Sequence, residues 1–296
     1  MENRFKKVTL AVVIAVGVLL IGAVVVGVLN ALVADGKWTF GWNDYRYDES
    51  GYEIGDGTIP SKGVTRIALD WVEGDVELVA CQDSFISLTE FSADALAESE
   101  RLRWRVDENG TLLIKYRKSS WFFGIGGSNS EKKLTLRIPE SFFEGLTEIN
   151  VETESADVVA TDLFAASFVF HSSSGSLGIK NCAFLEVSAD TVSGHMLTEE
   201  LVSNSISLVS VRGNLDMTAS LMPNHLQVST DGGDVTLRLN EHASFRLDWT
   251  TEKGSLSSDL PLTKDADASY ICGGGTSAFS VTTVSGDLTI VQADKR

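Results

Sequence analysis

The sequence predicts an all-β protein: a single-stranded β-solenoid-like stack of ~19–21-residue repeats behind one N-terminal transmembrane helix. Three observations predict it. A short phrase recurs, with a glycine between small polar residues ahead of an alternating strand: Glu73-Gly74-Asp75-Val76, Ser174-Gly175-Ser176-Leu177, Ser193-Gly194-His195-Met196, Arg212-Gly213-Asn214-Leu215, Gly232-Gly233-Asp234-Val235, Lys253-Gly254-Ser255-Leu256 and Ser285-Gly286-Asp287-Leu288. Ser155-Ala156-Asp157-Val158 repeats it with alanine in the glycine slot, and from Ala156 the slot advances by 19, 19, 19, 20 and 21 residues to Gly254. Around each slot apolar residues alternate with polar ones, the period of a half-buried strand. Finally, residues 8–34 carry no charge.

That uncharged run exceeds the roughly 20 apolar residues that cross a bilayer as a helix. Arg4, Lys6 and Lys7 precede it, so residues 1–7 form a cytoplasmic tail and the remainder is extracytoplasmic at the cell membrane. The run is too long for the apolar core of a cleaved signal peptide, and Leu32-Val33-Ala34 is a poor cleavage site, so an uncleaved anchor is expected. Residues 35–62 hold Trp38, Phe40, Trp42, Tyr45, Tyr47 and Tyr52 among Gly and Asp and lack periodicity. They read as a juxtamembrane linker whose first aromatics lie at headgroup level.

The β domain is expected over residues 63–292, with 63–139 as an N-terminal sub-region. Strands are predicted at residues 66–71 and 76–79 around the Glu73-Gly74 turn, and at 85–91. Residues 102–106 and 112–116 flank Asp107-Glu108-Asn109-Gly110 and form a hairpin, because Asn-Gly supplies the positive-φ positions of a tight turn. The strand Leu134-Thr135-Leu136-Arg137-Ile138 ends at Pro139, which cannot continue a ladder. Residues 93–102 suffice for one short helical turn. From Ile149 each unit is strand, glycine turn, strand, connection. One unit cannot bury its apolar face alone, and stacking neighbours at about 4.8 Å builds a continuous core. The glycine column is expected because a turn repeated at every coil needs φ > 0.

Leu69-Asp70-Trp71-Val72-Glu73-Gly74-Asp75-Val76, Leu134-Thr135-Leu136-Arg137-Ile138-Pro139 and the serial Ser-Gly-Asp/Ser-Leu phrases resemble a bacterial "putative adhesin" β-strand-repeat family, over roughly residues 60–292. The resemblance implies a membrane-anchored, solenoid-like ectodomain and brings no catalytic residues. Its relatives include components of envelope stress modules in Gram-positive bacteria.

Beyond residue 34 the chain has 21 basic and 40 acidic residues, a net charge of −19. That balance argues against nucleic acid and against docking on anionic lipid. Cys81, Cys182 and Cys272 permit at most one disulfide, of undetermined pairing, and no Cys/His cluster has zinc spacing. The residues after the glycines (Asp75, Asp157, Ser176, His195, Asn214, Asp234, Ser255, Asp287) are expected to hydrogen-bond local turn backbone. A calcium ladder is the alternative, disfavoured because Ser, Asn and His interrupt the acids. His171, His195, His225 and His242 lie in different repeats without a nucleophile motif. Glu152/Glu154 and Glu199/Glu200 are the dense carboxylate pairs within the repeats, too unspecific to argue glycoside cleavage. No metal, cofactor or catalytic residue is expected.

The candidate partner contact is Trp121, Phe122, Phe123 and Ile125 on a Gly-rich loop flanked by Lys115, Arg117, Lys118, Lys132 and Lys133. Capping of the stack's end is the other use open to that loop. The expected role is non-catalytic: adhesin-like binding or sensing at the envelope, toward a surface protein or glycan. A polysaccharide-modifying enzyme and a membrane-complex scaffold are the alternatives.

Overall fold

The computed structural model describes residues 51–96, 98–116, 132–219 and 221–293. The expected membrane helix at 8–34 lies outside them. Among the described residues no helix is long and apolar enough to cross a membrane.

Strand is the dominant element of the described chain, interrupted by tight turns and the short 3-10 segments Glu98–Glu100 and Glu140–Gly145, and it is laid out in two sheets. Each rung of the stack gives one strand to the first sheet, turns a tight corner, and gives the next strand to the second. The first sheet runs Thr111–Tyr116, Arg66–Trp71, Glu148–Thr153, Phe164–Ser172, Ala183–Thr191, the second half of Met196–Ser210, His225–Thr230, Ser277–Thr283 and Phe245–Thr250, all parallel. The second runs Lys132–Pro139, Asp75–Cys81, Asp157–Thr161, Leu177–Lys180, the first half of Met196–Ser210, Leu215–Ala219, Val235–Leu239, Leu288–Gln292 and Leu256–Ser258, also parallel. Within the regular stretch the register steps by 19 residues: Val158 sits beside Leu177, Leu177 beside Met196, and Met196 beside Leu215.

Period-two alternation explains the core. Side chains on one face of each strand enter the space between the sheets, where Val158, Leu177, Met196, Leu215, Val235 and Leu288 form one buried column. Aromatic side chains also stack on one another in the core. Phe168 stacks on Phe184 at 5.1 Å, and Phe245 on Phe279 at 4.8 Å and 7°. Burying each aliphatic residue of such a column contributes about 1.5–3 kcal/mol.

The rungs do not follow chain order at either end. The rung of Arg66–Trp71 and Asp75–Cys81 lies between the later rungs of Thr111–Tyr116/Lys132–Pro139 and Glu148–Thr153/Asp157–Thr161. At the other end the last rung, Ser277–Thr283/Leu288–Gln292, is inserted between those of Gly233 and Gly254. The step from Gly233 to Gly254, expected to be one more coil, is therefore not a stacking contact. Alternation specifies strands and faces, whereas neighbours are chosen by long-range packing.

Antiparallel strands close the ends. Arg103–Val106 forms the expected hairpin with Thr111–Tyr116; Asp107 accepts the amides of Asn109 and Thr111, and Gly110 takes φ 75°. Phe85–Ser92 runs antiparallel on Lys132–Pro139, and Tyr270–Cys272 on Phe245–Thr250. Glu53–Ile54 and Gly57–Pro60, within the segment expected as linker, pair with Arg103–Val106 and Phe85–Ser92, and Ile59 is buried. The helical turn expected at 93–102 is a 3-10 turn at Glu98–Glu100.

Candidate functional site

The glycine corner, the most conspicuous feature of the sequence, proves to be an assembly device. The positive-φ explanation holds only at Gly74 (φ 96°); the other glycines of the column are outside that region. Their reason is proximity. A Cβ on Gly194 would lie 1.9 Å from the Gly175 carbonyl oxygen, one on Gly213 1.7 Å from that of Gly194, and one on Gly286 1.8 Å from that of Gly233. Successive corners touch backbone to backbone, and a side chain would force them apart.

From Asp157 onward the residue after the slot links rungs rather than bonding within its own turn. Ser176 N–H donates to Asp157 Oδ1 (2.7 Å), His195 N–H to Ser176 Oγ (3.4 Å), and Asn214 N–H to His195 Nδ1 (3.1 Å). Asp234 N–H donates to Asn214 Oδ1 (3.0 Å), Asp287 N–H to Asp234 Oδ1 (2.9 Å), and Ser255 N–H to Asp287 Oδ1 (2.7 Å). Asp, Ser, His and Asn share a side-chain acceptor close to Cβ, which explains why this slot accepts such different residues. With Nδ1 accepting, neutral His195 carries its proton on Nε2. The bonds from Ser255 hold the Asp287 carboxyl below its usual range. Among the described residues no group of three or more His, Cys, Asp or Glu is arranged to hold a metal.

A second column is absent from the expectations above. Three residues before every slot from Ala156 onward stands a hydroxyl: Thr153, Ser172, Thr191, Ser210, Thr230, Thr251 and Thr283; the Gly74 slot has Trp71 there instead. The amides of Gly175, Gly194, Gly213, Gly233 and Gly254 donate to these oxygens at 2.7–3.1 Å. The signal, Ser/Thr-x-x-Gly at the repeat period, was readable.

Trp121, Phe122, Phe123 and Ile125 lie outside the described residues, but the roots of their loop are placed. Other rungs cross between the sheets by a short corner, such as 173–176; in the end rung the strand of the first sheet ends at Tyr116 and that of the second begins at Lys132. Tyr116 and Lys132, on either side, are both buried. The Lys132 ammonium lies 3.3 Å from the Tyr116 ring centroid and 5.1 Å from that of Trp71. It pairs with Glu90 at 2.7 Å and donates to the Glu100 carbonyl. Burial lowers the Lys132 pKa, opposed by hydrogen bonding to Glu90 and by the charges of Glu90, Glu100 and Glu73. Burial, reinforced by the same three carboxylates, pushes the Tyr116 phenol up to about 12.

The remaining candidates are dispersed. His171 Nδ1 contacts Asp190 on the outer face of the first sheet. Burial would lower its pKa, but that hydrogen bond and the charges of Asp190 and Glu152 win and raise it. Glu154 gives its carbonyl to Ser174 N–H (2.9 Å), and Glu199 pairs with Lys180 at 3.4 Å. Cys81, Cys182 and Cys272 are free and buried, and burial pushes the Cys182 thiol up to about 11. Over the second sheet lies a groove of about 1000 Å³, whose lining includes Lys180, Glu199, Asp216 and Arg238.

Three solved structures are similar to this chain at low identity. They are described as a "putative adhesin" from Bacteroides fragilis NCTC 9343 (16% identity, TM-score 0.48, covering 82% of this chain and 98% of that one), a "putative adhesin" from Parabacteroides distasonis ATCC 8503 (10%, 0.40, 81% and 97%) and a "putative cell adhesion protein" from Clostridium sporogenes ATCC 15579 (11%, 0.38, 81% and 99%). No significant match was found among curated proteins. The family model Toastrack DUF4097 matches residues 64–291, nearly all of the stacked strands, and the chain belongs to that family.

Proposed function

We propose that the chain is a non-catalytic, adhesin-like binding protein of the cell envelope. Residues 8–34 anchor it in the membrane, and residues 63–292 form a β-solenoid-like stack on the extracytoplasmic side. One observation carries this reading: the recurring Asp, Ser, His and Asn side chains, the residues on which a catalytic or metal-binding account would draw, accept amides of neighbouring rungs. What differs between rungs is surface: the outward faces of the sheets and the insertion at 117–131. The net charge of −19 beyond the anchor turns that surface toward partners other than polyanions. The partner is an envelope or surface protein or a glycan, and Trp121, Phe122, Phe123 and Ile125 are the contact, with roots fixed by Tyr116 and Lys132.

The test is binding of the full chain, held in detergent, to cell-wall glycans, matrix proteins and envelope extracts, beside a Trp121→Ala/Phe122→Ala/Phe123→Ala variant. Binding lost with the melting curve preserved supports the loop as the contact. A variant that no longer folds makes the loop a cap, and binding to none of the materials overturns the binding role.

A further inference from the structure

The groove over the second sheet is independent of the aromatic loop. Its floor crosses five consecutive strands: Leu177–Lys180, the first half of Met196–Ser210, Leu215–Ala219, Val235–Leu239 and Leu288–Gln292. Four strand spacings amount to about 19 Å, so the groove suits a chain of several small units better than a single one.

It forms where the repeat becomes irregular. The pairing of Met196–Ser210 with Leu215–Ala219 shifts register between Thr198 and Leu201. The connection from the second sheet back to the first lengthens from two residues, Asn181 and Cys182, to five, Asn240 to Ser244. Asn240, Glu241 and His242 of the longer connection line the groove. The left-handed corner at Glu200 (φ 53°) is itself regular, repeating those of Asp162 (58°) and Asn181 (50°), so the irregularity lies in the register shift and the longer connection. Bulges and lengthened corners are where β folds re-aim side chains.

The chemistry selects a ligand class. The two cations of the lining are engaged by carboxylates: Arg238 with Asp216, and Lys180 with Glu199 at 3.4 Å. The lining holds the carboxylates of Glu199, Glu200, Asp216 and Glu241 against the cations of Lys180 and Arg238, with His242 3.6 Å from Glu241, and this acidic balance disfavours polyanions. Lys180 and Arg238 within it disfavour a basic peptide. The lining combines guanidinium and amide donors with carboxylate and hydroxyl acceptors, the latter including Thr218, and Leu197 adds an apolar patch. Such an array matches ligands that offer donors and acceptors in equal number, as sugar hydroxyls do. Resting on the binding role proposed above, we infer that this groove binds a neutral oligosaccharide of several residues.

The test uses the full chain in detergent with three kinds of probe: hexamers of β-1,4-linked glucose, β-1,4-linked N-acetylglucosamine and α-linked mannose; polyglycerol phosphate; and a Lys/Arg-rich peptide. Binding is read by calorimetry. A neutral hexamer is expected to bind, at least tenfold more weakly to Arg238→Ala and undetectably to Thr218→Trp, which fills the floor. Ser207→Trp, on the outer face of the first sheet, is expected to bind like the parent, and thermal melts verify that each variant folds. Hexamer binding that survives Thr218→Trp overturns the groove assignment while leaving the binding role intact. Exclusive binding of the peptide or the polyanion overturns the ligand class. If no probe binds, the oligosaccharide assignment falls, and the envelope-extract assay decides the broader role separately.

Discussion

The glycine corner of the middle rungs and the Lys132 corner of the end rung occupy the same place in the stack, yet they are built on opposite physics. At the Gly194 corner, backbone meets backbone, a hydroxyl satisfies the buried amide, and a polar side chain ties each rung to the next. The same few residues recur, so the solution propagates without limit. At the end rung, propagation has to stop. A lysine lies buried among Tyr116, Trp71 and Glu90, and the corner becomes an insertion. Repetition is inexpensive in sequence, whereas termination requires unique long-range contacts.

Substitutions can break each half of this contrast. Lys132→Met removes one partner of a buried pair and is expected to lower stability by about 3–5 kcal/mol in denaturant unfolding. Adding Glu90→Gln, which keeps an acceptor for the Leu102 amide (2.7 Å), is expected to restore part of it. Gly194→Ala is expected to cost about 3 kcal/mol or more, because the clash is with a carbonyl that cannot move alone. Gly178→Ala, a strand glycine whose Cβ would meet nothing nearer than 3.6 Å, is expected to stay within about 0.5 kcal/mol of the parent. Equal losses at the two glycines would refute the close-contact account of the corner.

Two threonines sharpen the comparison through the sign of the effect. Thr191→Val strands the buried Gly194 amide, with an expected loss of about 1–3 kcal/mol. Thr198 is fully buried, and its hydroxyl has no hydrogen-bond partner among the described residues. Thr198→Val is therefore expected to stabilise by about 1 kcal/mol, read as a rise in melting temperature. A modest, pH-dependent effect belongs to His171. Its pKa is raised in the folded state, so its contribution is complete below the ordinary imidazole value of 6.5 and disappears as pH climbs through the folded value. The stability gap between parent and His171→Asn is expected to be larger at pH 5 than at pH 8.5, and under about 1 kcal/mol given the partial exposure of the pair.

Local pattern made the strands and their faces legible. Phe168 and Phe170 before a corner, Leu177 and Ile179 after it, all enter the core as alternation requires. The slot of glycines was also legible, but not its cause, since a glycine looks alike in sequence whether it serves φ or proximity. The polar column was legible as backbone-bonding but not in its reach: Asp157 and His195 were expected to bond within their own turns, and each instead accepts an amide 19 residues away. The positions of Gly254 and Gly286 were illegible, because both rungs carry the same pattern and only packing orders them. The groove was hidden for a related reason: Lys180, Glu199, Asp216 and Arg238 are unremarkable until stacking sets them side by side.

The interleaved last rung bears on how the molecule is made. During synthesis from the N-terminus, Phe245–Thr250 and Leu256–Ser258 emerge before Ser277–Thr283 and Leu288–Gln292, the strands on which they dock. They remain without those partners until the final segment slides in against the Gly233 rung. The C-terminal segment thus acts as a clasp. A truncation at residue 276 would forfeit two rungs instead of one and bare the flank of a third, so proteolytic nicking near that point is a sensitive report on whether a given molecule has finished folding.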